Sequence, residues 1–134
     1  MTRPLLFALT AALALLAAES GAYAQPNCAC TKYASAAQFV QFSDVIFKGK
    51  AVGSKSQYGV TVTTFQVLEK LKGEPAQSVA VTHPAPGPNS CGGVAFTPGQ
   101  IVVIVAQGLP EDLATTSCQI SAYPEADLRR ALPH

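Results

Sequence analysis

The chain predicts a small all-β domain, a closed five-stranded barrel with a short helix near each end. Three observations predict it. Five short segments rich in Val, Ile, Thr and Phe are separated by turn residues, the usual pattern of half-buried strands. The first of them carries an internal glycine, Gly49, which lets a strand bend round a barrel corner. Only 13% of side chains are charged and there is no Trp, a composition suited to one modest β-rich core rather than to a charged helical bundle. Antiparallel strands of uneven length with a bent first member close most readily into a barrel.

The N-terminus precedes that domain. Arg3 supplies a positive start, Pro4 to Ala18 is almost unbroken apolar sequence, and Ala22-Tyr23-Ala24 places small residues before a cleavage point. Residues 1–24 are therefore expected to be a signal peptide. The apolar run is short for a membrane span, which needs about 20 residues. No small-residue run precedes Cys28, whose neighbours are Gln25-Pro26-Asn27, so no lipid anchor is expected there. The mature chain, residues 25–134, is expected to be a single domain located outside the cytoplasm, secreted or periplasmic, with no membrane attachment after cleavage.

Along the mature chain, Ala34 to Phe42 suits a short helix, with Ser35 as N-cap and Phe39 and Phe42 on one face. Ser43-Asp44 breaks it. From Val45 to Val52, Ile46, Lys48 and Lys50 point one way and Val45, Phe47, Gly49 and Ala51 the other, with a bulge expected at Gly49. Tyr58-Gly59 is a turn signal, and Val60 to Leu68 forms a long strand returning along the first. Lys72-Gly73-Glu74-Pro75 ends it, and Ser78 to Thr82 is a third strand. His83 to Gly93 holds three prolines and three glycines and is expected to be an ordered loop. Gln100 to Gln107 is apolar throughout and predicts a central strand buried on both faces. The last strand is placed within Leu113 to Ile120, carrying Cys118. Pro124 opens a final helix, with Glu125 and Asp127 in its first turn and Arg129 and Arg130 in its last, both suited to the helix dipole.

Charge excludes some functions. Nine basic and eight acidic side chains leave a net +1, without the clustered Lys and Arg of a nucleic-acid or anionic-membrane footprint. Lys48, Lys50, Lys55, Lys70 and Lys72 concentrate around two strands and read as solvated strand faces and ends. Residues for enzymatic chemistry are missing. His83 sits before Pro84 in the expected loop, His134 is the last residue, and no Ser-His-Asp or Cys-His arrangement has workable spacing. Glu111-Asp112 and the pair Glu125/Asp127 are explained by a turn and a helix start. A non-enzymatic domain with no cofactor is expected. Tyr33, Tyr58 and Tyr123 could supply aromatic contacts to a ligand, or serve as ordinary core and rim residues.

Cys28, Cys30, Cys91 and Cys118 are the four cysteines. In an exported chain they read as a disulfide framework. A zinc site would need two closely spaced pairs, and only Cys28-Ala29-Cys30 comes close. A Cys28–Cys30 bond would close a tiny, strained ring, which leaves both long-range pairing patterns open. Each bridge then spans more than sixty residues and contributes about 4 kcal/mol in the chain-entropy model, before strain.

The ordered set of Cys28-Ala29-Cys30, the strand Ser43-Asp44-Val45-Ile46-Phe47-Lys48-Gly49-Lys50-Ala51-Val52, the strand end Leu71-Lys72-Gly73, then Ser90-Cys91-Gly92, a hydrophobic strand and a late Cys118, resembles the netrin-like domain. The closest likeness is to the N-terminal domain of the tissue inhibitors of metalloproteinases, in a shorter, bacterial-type version spanning about residues 28–132. The resemblance implies the oligonucleotide/oligosaccharide-binding (OB-fold) barrel and the pairings Cys28–Cys91 and Cys30–Cys118. It also implies a partner-binding ridge formed by Cys28, Ala29, Cys30 and Thr31 with Asn89, Ser90, Cys91 and Gly92. In such inhibitors the first cysteine is the mature N-terminus, and its α-amine and carbonyl chelate the protease zinc. Here cleavage after Ala24 leaves Gln25-Pro26-Asn27 ahead of Cys28, so its nitrogen is an amide, and Ala29 offers a specificity pocket only a methyl group. The resemblance thus implies an exported, monomeric protein-binding module related to metalloendopeptidase inhibitors, with a zinc endopeptidase as its partner. The alternative is a disulfide-stapled barrel that binds another extracytoplasmic protein or a ligand without inhibiting it.

Overall fold

A computed structural model describes residues 29–88 and 90–134. The expected signal peptide, Cys28 and Asn89 lie outside the described residues. The elements run α1 (Ala36–Phe42), β1 (Val45–Gln57), β2 (Val60–Lys72), β3 (Ser78–Pro84), β4 (Ile101–Leu109), β5 (Asp112–Ala114), α2 (Ser117–Ile120) and α3 (Glu125–Ala131). The five strands close into a barrel in the order β1-β2-β3-β5-β4, with β4 pairing back on β1.

Local chemistry sets most of these boundaries. Ser35 caps α1 by accepting a hydrogen bond from the Gln38 amide. The β1–β2 turn places Tyr58 at φ 52° and Gly59 at φ 77°, the left-handed pair that a two-residue hairpin with native twist demands. Registers shift between Lys48 and Gly49 and again between Ala51 and Gly53. A Cβ at Gly49 would fall 2.7 Å from the Phe47 ring, so the bend there needs a glycine.

Inside the barrel Phe47, Phe65, Val79, Val81, Phe96, Ile104 and Leu113 form one core, with Phe65 edge-on to both Phe47 and Phe96. A second core lies outside the barrel wall, where Phe39 and Val40 of α1 and Leu128 of α3 cover Ile46 and Val105. The same strands are thus buried on both faces where the helices lie. Two polar fixtures hold the helices. The Lys72 ammonium donates to the carbonyls of Val40 (2.6 Å), Gln41 (3.3 Å) and Ser43 at the C-terminal end of α1, where the helix carries negative partial charge. On α3, Arg129 forks onto Glu69 (2.7 and 2.9 Å) and reaches Glu125, which also accepts from Lys48 (3.3 Å). Hydrogen bonds from Arg129, and for Glu125 also from Lys48, hold both carboxyls below the ordinary value of 4.5; the same pairs push the Arg129 guanidinium up.

Four sequence expectations need correction. His83 and Pro84 belong to β3, because the alternation of Val79 and Val81 continues and turns His83 into the interior, 2% exposed. The last strand is only Asp112–Ala114, and Cys118 lies on α2. The chain leaves the sheet at Thr115, whose buried hydroxyl donates to the Val105 carbonyl (2.6 Å), while the Ser117 amide is taken by the Gly92 carbonyl. The pairing of β3 with β5 is parallel rather than antiparallel. Finally, β4 is fully buried only from Ile104 to Ala106, since Ile101 extends past both cores and is exposed.

Candidate functional site: the N-terminal segment and the Cys-Gly loop

The ridge is assembled by α2. Cys30 is bonded to Cys118 with their Cα atoms 5.4 Å apart, across 88 residues of sequence. This draws the segment Ala29–Tyr33 over the α2 turn. One residue before Cys118, the Ser117 amide donates to the Gly92 carbonyl at 2.9 Å. Gly92 sits at φ 75°, and a Cβ there would meet the Thr116 side chain at 2.9 Å, so the loop can seat on α2 only with glycine at this position. The structure therefore seats Ala29, Cys30 and Thr31 and the Gly92 end of the loop on the same short helix, α2.

The loop between Pro84 and Val94 is closed at its base. The Pro84 carbonyl accepts from the Val94 amide (3.1 Å), the Ala85 amide donates to Gly59 (3.0 Å), and the Ser90 amide donates to Gly87 (3.1 Å). His83 reinforces that base: its Nδ1 donates to the same Pro84 carbonyl (3.2 Å). A carbonyl can only accept, so Nε2 of the neutral ring is the acceptor for the Thr63 hydroxyl at 2.7 Å. Thr63 in turn accepts from Ser54 (2.7 Å). The ring stands edge-on to Phe96. His83 is thus a fully partnered core residue that supports the ridge loop from beneath.

Of the ridge residues, Ala29, Cys30, Thr31 and Cys91 are exposed and Ser90 and Gly92 half-buried. Cys91 is itself disulfide-bonded, and none of the described cysteines is free. Two shallow clefts flank the N-terminal segment. One, of about 500 Å³, lies between it and Ser121–Tyr123. The other, of about 300 Å³, lies between it and Phe39, Gln107, Thr116 and Gln119. Tyr33 lines both clefts, edge-on to Phe39 and tilted against Phe42. Among the described residues, Lys32 is the one charged residue lining either cleft. Tyr123 packs on Phe39, whereas Tyr58 is 94% exposed at the hairpin tip, away from any core.

Gln107, Thr116, Gln119 and Ser121 are cleft residues that sequence reasoning did not single out. Polar residues at element ends carry no periodic signal, and only the Cys30–Cys118 bond places them beside the N-terminal segment. Among the described residues no group of three or more His, Cys, Asp and Glu side chains could hold a metal ion, and no helix is long and apolar enough to cross a membrane. The chain matches no family model, and a search of curated proteins finds no significant similarity.

Proposed function

We propose that the chain is an exported, non-enzymatic protein-binding module of the OB-fold, netrin-like type, resembling metalloendopeptidase inhibitors and binding a zinc endopeptidase through the ridge at Ala29–Thr31 and Ser90–Gly92. The observation that carries this reading is the joint seating of the N-terminal segment and the Cys-Gly loop on α2, one by a disulfide and the other by the Ser117–Gly92 hydrogen bond. A ridge built from two chain segments 60 residues apart in sequence, yet pinned to one short helix, is a preorganised contact surface. It loses little conformational entropy on binding. A second staple between Cys28 and Cys91 is part of the proposal and would fix the loop directly to the N-terminal segment.

The ridge is nearly uncharged, so the partner's contact surface is expected to be neutral and the binding only weakly salt-dependent. With Gln25-Pro26-Asn27 ahead of Cys28, the ridge would dock by shape and backbone hydrogen bonds rather than by an α-amine on zinc. The test is surface plasmon resonance of the secreted domain against the zinc endopeptidase thermolysin and against its apo form, alongside intact-mass and N-terminal sequencing of the ligand. Binding that is lost in Ala29→Glu and in Ser90→Lys supports the reading. Absence of binding to zinc endopeptidases, with ridge-dependent binding to another extracytoplasmic protein, would favour the alternative of a binding module without inhibition.

A further inference from the structure

Strand β1 is covered unequally along its two sides. Toward β2 its ladder runs to Gln57↔Val60 at the hairpin turn. Toward β4 it stops at Lys50↔Ile101, followed only by the Ala51 bonds to Gln100 and Gly99. The other side of β2 is paired with β3 as far as Val60↔Pro84. Among the described residues no strand covers Val52–Gln57, so it is a free sheet edge. The register shift at Ala51/Gly53 turns Ser54 and Ser56 inward, where they bond Thr63 and Thr61 at 2.7 Å each, and leaves Lys55 outward. A shallow groove of about 480 Å³ lies over the outward face of β1 and β2 here, lined by Val52, Lys55, Val62 and Thr64. Both valines are exposed, Val52 by 60%.

The lysines of this region divide into two groups. Lys48 pairs with Glu125, Lys70 with Glu74, and Lys72 caps α1. The side chains of Lys50, two residues before the free edge, and Lys55, in its middle, make no ion pair or hydrogen bond among the described residues. An edge with open backbone groups, exposed valines and two uncompensated cations has a defined complement.

We infer that the Val52–Gln57 edge takes an extended segment of a partner protein with acidic side chains along one face, added to β1 as a further strand. Backbone hydrogen bonds supply the docking. Lys50 and Lys55, which share the outward face of β1 with the exposed valines, select carboxylates on the outward face of the added strand. A second copy of this chain is the poorer occupant, because edge-to-edge pairing would bring the Lys50 and Lys55 pairs of two copies together. This surface is separate from the ridge, so the inference stands or falls independently of the proposed function.

The probe is an end-capped heptapeptide alternating Glu and Val, with its Lys-Val counterpart as control, titrated into the folded domain and followed by amide chemical shifts and hydrogen exchange. The Glu-Val peptide is expected to shift the amides of residues 52–57 and slow their exchange, with the Lys-Val peptide inert. The double variant Lys50→Glu, Lys55→Glu, at two exposed positions that leave the core intact, is expected to weaken Glu-Val binding by about tenfold and to admit the Lys-Val peptide. No response at millimolar Glu-Val peptide, or equal response to both peptides, would overturn the inference. So would protection of the edge that grows with protein concentration alone, which would assign it to a second copy.

Discussion

The two halves of β1 are built on opposite terms. From Val45 to Ala51 the strand is hydrogen-bonded on each side, and its inner face is core throughout while Ile46 on its outer face lies under α1 and α3; Phe47 and Ile46 are both fully buried. From Val52 to Gln57 it has one partner among the described residues, its inward face is hydroxylic, and its outward face is exposed. One strand therefore serves as a structural axis at one end and as available surface at the other. The change falls at the bulge between Ala51 and Gly53, which swaps the parity of inward and outward residues. The lesson is that burial on two faces, rather than strand length or β propensity, decides where this barrel tolerates change.

Substitution sharpens that contrast. Phe47→Ala is expected to destabilise by about 3–5 kcal/mol, whereas Val52→Ala, five residues along the same strand, should stay within about 0.5 kcal/mol; paired urea titrations measure both. A comparable loss for Val52→Ala would mean that the far half of β1 is core after all. Replacing Cys30 and Cys118 together by Ala removes a staple across 88 residues and should cost about 2–4 kcal/mol. The accompanying rise in amide exchange should concentrate at α2 and the Cys-Gly loop, leaving the β1–β2 hairpin unaffected.

At the polar end of the barrel, Thr63→Val leaves Nε2 of buried His83 without its donor and should cost about 1–3 kcal/mol, read from thermal unfolding. If Thr63→Val is neutral, the Ser54–Thr63–His83 chain contributes specificity of packing rather than stability. The smallest effect concerns α3. Glu69 and Glu125 have carboxyls held below the usual value by Arg129, so their pairing contributes fully above the unfolded-chain value and fades as pH falls through the lowered folded values. Amide exchange in α3 should therefore rise relative to the barrel strands as pH is brought below about 4, and Arg129→Met should weaken that pH dependence, with Lys48 still acting on Glu125.

The elements that could be read from the chain are those with local causes. Ser35 marks the start of α1, Tyr58-Gly59 makes the hairpin, and Gly49 marks a bulge, because capping, left-handed turns and close ring contacts are decided within a few residues. His83 was readable in principle: the alternation Val79, Val81, His83 runs one residue past Thr82, where the approaching Pro84 suggests that the strand has ended. Nothing local distinguishes Cys118 on a four-residue helix from Cys118 on a strand, since one turn of helix has no measurable period.

The residue types of the site are written in the chain: four cysteines, a Cys-x-Cys segment, and a glycine following Cys91 at a position that requires one. Their arrangement comes from long-range packing. Closure of β4 on β1, the parallel β3–β5 pair and the seating of two distant segments on α2 depend on contacts between residues 20 to 90 positions apart in the chain. Such contacts form only when the enclosed chain has already lost its conformational freedom, and that cooperative balance is carried by the whole core rather than by any window of sequence.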